Sequence, residues 1–144
     1  MSRIKISVPD NFKFSTKIPI RITDVNYGGH VGNDSILSLI HEARMQFLKE
    51  YGYSEMDFDG TSLIMSDAAI EFRNELFYGN EVEVFVGIDN VARVSFDIFY
   101  KLLRTSDEKL IAIAKTGMIC YNYQTKKITA IPDEVNDQLN SNSK

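Results

Sequence analysis

Ten consecutive residues, Asp24 to Asn33 (DVNYGGHVGN), put a carboxylate, two asparagines, a histidine and three glycines directly ahead of a helix-forming stretch. Free N–H groups and the dipole at a helix start can hold an anion or a developing oxyanion, so this loop is the first address for chemistry. His30 is the best-typed base, because imidazole is the side chain suited to proton transfer near neutral pH, although a loop histidine also serves by bonding backbone. Asp24 lies close by and reads better as the Asx residue of a turn than as a base. Asp67 and Glu75 are further carboxylates, on a later strand-like run that they share with Glu71 and Arg73; all four positions are odd, which suits a solvated face. The glycines lack both the Gly-Lys-Ser/Thr ending of a phosphate loop and the dinucleotide-binding spacing. Cys120 and Ser66 have no neighbouring histidine to activate them, Glu42 falls on the polar side of the helix, and His30 with His41 makes no zinc set. No metal or cofactor is expected.

The rest of the composition narrows the field. With 144 residues and 44% hydrophobic content the chain reads as one domain, residues 1–144, able to bury a core without staples. Sixteen basic against twenty acidic residues give a net charge of -4, the wrong sign for neutralising nucleic acid phosphates. Sixteen Phe and Tyr residues come without a basic stripe and so read as core and pocket lining. No apolar run reaches the roughly 18 residues of a membrane span, and one cysteine with no secretory leader points to the cytoplasm.

The elements that must position the loop follow from periodicity. Lys17–Thr23 reads as an opening strand. A helix over Ser35–Tyr51 should be capped by Asn33 or Asp34 and stopped by Gly52. On a helical wheel Ile36, Leu37, Leu39, Ile40, Ala43, Phe47, Leu48 and Tyr51 share one arc, opposite Ser38, Glu42, Gln46 and Lys49. Arg44 falls inside the apolar arc and needs an acceptor if it is covered. Strands are expected over Ser62–Leu76, Glu81–Val91, Arg93–Leu103, Leu110–Tyr123 and Ile128–Ile131, joined by hairpin turns, with a short helix at Asp133–Leu139. The fold class is therefore α+β, an antiparallel sheet curled around one long helix.

The loop, followed by His41-Glu-Ala-Arg44, resembles the D-x-D-x-x-G-H-V-N-N and E-A-R signatures of hotdog-fold thioesterases, of the 4-hydroxybenzoyl-CoA thioesterase-like kind. The likeness extends through Ile70-Glu-Phe-Arg73 and Gly79-Asn-Glu-Val-Glu-Val84. It implies an acyl-CoA or acyl-carrier-protein thioester as substrate, hydrolysed to acid and thiol. It also implies a homo-oligomer, dimer or tetramer, with sites at the seam between edge-paired sheets. Backbone amides around Gly28, Gly29 and Val31 would then polarise the carbonyl, with Asp24 and Asn33 flanking the substrate. Where many of these hydrolases have the second Asp of D-x-D, this chain has Asn26, which orients water but removes no proton. The missing base would come from His30, Asp24, Asp67 or Glu75, the last matching an acidic position of the acyl-carrier-protein branch. Two other outcomes follow from the same scaffold: a protein that binds acyl thioesters without cleaving them, and an acyl-thioester dehydratase.

Overall fold

The computed structural model describes residues 3–142. Strand β1 (Phe14–Pro19) leads through a 3-10 turn (Ile22–Asp24) to helix α1 (Asn33–Glu50). Four long strands follow, β2 (Ser62–Phe72), β3 (Glu81–Asp89), β4 (Ser95–Arg104) and β5 (Leu110–Asn122), then the short β6 (Lys127–Ile128) and helix α2 (Asp133–Asn142). All pairings are antiparallel, in the order β1-β3-β4-β5-β2, with β6 continuing beside the end of β5.

Alternation decides which face is buried. Val82, Val84, Val86 and Ile88 of β3 and Phe96, Ile98, Tyr100 and Leu102 of β4 all turn inward, and α1 closes on them with Leu39, Ile40, Ala43 and Phe47. Phe47 is 1% exposed and meets Phe14 and Tyr51 edge-on. Truncating so enclosed an aromatic side chain costs about 3–5 kcal/mol.

Several sequence expectations are corrected. The opening strand lies earlier than Lys17–Thr23, because the carboxylate of Asp24 accepts the Arg21 N–H at 2.8 Å and draws residues 22–24 into the 3-10 turn. The helix begins at Asn33 with Gly32 as its cap, and neither Asn33 nor Asp34 caps it by side chain. Short bridges, Val25 to Val31 and His30 to Phe77, keep the chain extended up to that glycine. Strand β2 ends at Phe72, well before Leu76, and β6 is only two residues long. Leu37 is 47% exposed although it falls within the apolar arc. The segment after α1 bonds the helix further along, at His41 and Arg44 through Glu55.

Arg44 does find its acceptors. It is 5% exposed, with Nε donating to Glu55 at 3.1 Å and Nη1 to the Tyr100 hydroxyl at 3.3 Å. Tyr100 in turn shares a 2.7 Å hydrogen bond with Thr116, so a polar chain crosses the core from α1 to β5. Burial pushes the Tyr100 phenol above its ordinary pKa, against the pull of Arg44 and Thr116.

Residues before β1 form no regular element, yet they are placed. Phe12 packs on Phe85 of β3, and Lys101 of β4 lies over both rings. The Ile6 N–H donates to the carboxylate of Glu71 on β2. Phe85, Lys101, Ile113 and Glu71 are successive cross-strand partners, so this segment runs as a strap across the outer face of the sheet. Gly87 makes room for it: a Cβ there would stand 3.1 Å from the Phe12 ring.

Candidate active site

The loop before α1 is held by its own backbone. Asn26 N–H donates to the His30 carbonyl at 2.9 Å, Gly29 N–H to the Asn26 carbonyl at 3.0 Å, and Val31 N–H to the Leu76 carbonyl at 2.9 Å. Gly29 sits at φ +86°, a conformation that glycine adopts without strain. The Gly28 N–H is taken by Asn26 Oδ1 at 2.9 Å. Among the four amides from Gly28 to Val31, this leaves the His30 N–H without a hydrogen bond among the described residues.

Pairing of His30 with Phe77 brings the 72–76 segment against the start of α1. Between them lies a cleft of about 250 Å³ lined by His30, Val31, Asn33, Ile36, Phe72, Arg73, Asn74, Glu75 and Leu76. Its far wall is pinned by Arg104, which donates to the Glu75 carbonyl at 2.7 Å, and by Asn74, which donates to the Leu110 carbonyl at 2.7 Å. Glu75 and His30 are thus neighbours across one cleft although 45 positions apart in the chain, with the N-terminus of α1 at its floor.

The remaining expected site residues sit elsewhere or serve the loop. Asp24 is 4% exposed and holds the turn through Arg21, away from the cleft lining. Asp67 follows a bulge in β2 and grips Lys115 through both oxygens at 3.0 Å, on the outer face of the sheet. That contact, together with Asp97, raises the Lys115 pKa above its ordinary value. Among the described residues no group of three or more His, Cys, Asp or Glu side chains could hold a metal ion. Two contributors were invisible in the sequence: Arg104, which braces Glu75, and Glu55, which anchors Arg44. Only the charge complementarity of Glu55 and Arg44 could have hinted at the second.

The fold is that of a thioesterase scaffold. Residues 20–139 match the thioesterase-like superfamily, and the chain belongs to it. A 1,4-dihydroxy-2-naphthoyl-CoA hydrolase of Microcystis aeruginosa is 26% identical over 123 residues, covering 83% of this chain and 88% of that protein. Its counterpart in Rippkaea orientalis is 29% identical over 126 residues, covering 85% and 91% respectively. The crystal structure of a 1,4-dihydroxy-2-naphthoyl-CoA thioesterase from Synechocystis superposes with a TM-score of 0.80 at 20% identity, covering 88% of this chain and 94% of that one. The antiparallel sheet packed around one long helix is therefore the hotdog fold.

Proposed function

We propose that the chain hydrolyses acyl-CoA thioesters, with the cleft between the start of α1 and residues 72–76 as its reaction site. The observation that carries this reading is the meeting there of His30, Glu75 and a helix N-terminus. The His30 N–H and the first turn of α1 polarise the thioester carbonyl. Glu75 or the His30 imidazole takes a proton from water, whose oxygen attacks the carbonyl carbon; the C–S bond breaks and the thiolate leaves to be protonated. Asn26, beside His30, orients the water. The relatives named for an aromatic acyl-CoA support this substrate class.

The outer edge of β2 pairs with no strand among the described residues. Edge pairing of two copies there, as a dimer or within a tetramer, would set two clefts along one seam. The single, buried Cys120 suits a reducing, cytoplasmic setting. Among the described residues no helix is long and apolar enough to cross a membrane. The test is release of free thiol from a panel of aliphatic and aromatic acyl-CoAs, with an acyl-carrier-protein thioester alongside. No release above background at high enzyme concentration would refute hydrolysis.

A second reading is binding without cleavage. The Oδ1 contact to Gly28 makes Asn26 a turn former at the very position where related hydrolases carry a carboxylate. Calorimetric binding of a non-hydrolysable acyl-CoA thioether, combined with absent turnover, would select it.

A further inference from the structure

The strap across the outer face of the sheet ends beside the proposed reaction site. Beyond Ile6, whose N–H is tied to Glu71, the chain carries Arg3, Ile4 and Lys5 to the end of β2. There they enclose a groove of about 610 Å³ with Glu71, Phe72 and Arg73. Phe72 and Arg73 line both this groove and the cleft that holds His30 and Glu75, so the two spaces share a wall.

Charge and shape agree on what the groove holds. Glu71 is neutralised by Arg73, whose Nη2 lies 2.7 Å from its carboxylate. Arg3 and Lys5 form no ion pair among the described residues. Arg3, Lys5 and Arg73 against the one carboxylate of Glu71, on which the Lys5 charge also acts, leave the groove net positive beside exposed apolar surface, Ile4 at 60% and Phe72 at 50%. Phosphates want the cations, and a flat heterocycle wants the apolar walls. A whole acidic protein is disfavoured, because this chain is itself acidic, with a net charge of -4.

We infer that the strap and the end of β2 form a docking groove for the phosphorylated nucleotide end of a coenzyme A thioester, with Arg3 and Lys5 as its phosphate-binding cations. This rests on the thioesterase reading above and adds the place where the carrier is gripped. The shared wall of Phe72 and Arg73 is the path by which the thiol arm reaches the cleft.

The test uses coenzyme A itself as the calorimetric probe, on the full chain and on Arg3→Ala, Lys5→Ala and Lys5→Glu variants. Each neutralised cation should weaken Kd roughly fivefold, and the wild-type affinity should fall steeply with salt. In kinetics, each neutralised cation should lower kcat/KM for an acyl-CoA about fivefold while leaving kcat/KM for the matching acyl-N-acetylcysteamine thioester, which lacks phosphate, unchanged. Binding of coenzyme A that needs Arg3 and Lys5, even without turnover, would support the groove while refuting hydrolysis. Equal Kd values in all variants would overturn the inference, as would loss of turnover confined to an acyl-carrier-protein substrate.

Discussion

The amide of Asn26 and the imidazole of His30 flank the bare face of Gly28: a Cβ on that glycine would stand 3.2 Å from Asn26 Oδ1 and 3.6 Å from His30 Nε2. Glycine at 28 is what allows the two side chains to share this space. An aspartate at 26 would keep one oxygen on the Gly28 N–H and present the other to water. Asn26→Asp should therefore raise kcat on acyl-CoA, on the order of tenfold or more. An unchanged rate would show that position 26 does not face the attacking water.

Since Glu75 and His30 line the same cleft, removing either should slow the chemical step. Glu75→Gln and His30→Ala are each expected to lower kcat about a hundredfold, with unaltered circular dichroism. The double variant should lose little more, because groups acting as one unit are not additive. A loss of similar size on Asp67→Asn, in their place, would move the base to the bulge of β2.

Tyr100 offers a stability test far from the cleft. Tyr100→Phe leaves the Thr116 hydroxyl and one Arg44 N–H without their buried partner. Chemical denaturation should show a loss of about 1–3 kcal/mol with an unchanged m-value. No loss would mean that water replaces the phenol.

The strap should respond to acid. Arg73, then the Ile6 N–H, hold the Glu71 carboxyl below its ordinary pKa. A carboxylate with a lowered folded pKa supports the bound strap fully above the ordinary carboxylate range and loses that support as pH falls through the lowered value. Hydrogen exchange at Ile6, corrected for intrinsic rates, should speed up over that acidic window in the wild type. In Glu71→Ala, which has no acceptor for the Ile6 N–H, it should be fast throughout.

The long helix, the four long strands and the turns between them were legible because each buries one face, and period 3.6 or period 2 records that face directly. The early end of β1 was not, since Lys17-Ile-Pro-Ile-Arg-Ile alternates well while the side chain of Asp24 decides the bend. The strap left no pattern at all: its contacts, Ile6 to Glu71 and Phe12 to Phe85, join segments more than sixty residues apart. The loop stood out as a candidate site from its residue types, and His30, Val31 and Asn33 do line a cleft. That Glu75 faces it while Asp67 binds Lys115 depends on the His30 to Phe77 bridge and on the bulge at Ser66, both products of long-range pairing.

A guanidinium, unlike a leucine, has a direction. Because Arg44 is fixed by Glu55 on one side and Tyr100 on the other, α1 has a single rotational setting, whereas greasy contacts alone would tolerate slippage about the helix axis. Gly32, which starts that helix, is bonded to Asp24 of the turn that opens the loop, so orientation set deep in the interior is passed on to His30. Alignment of the groups proposed to react is thereby governed from a point several turns away.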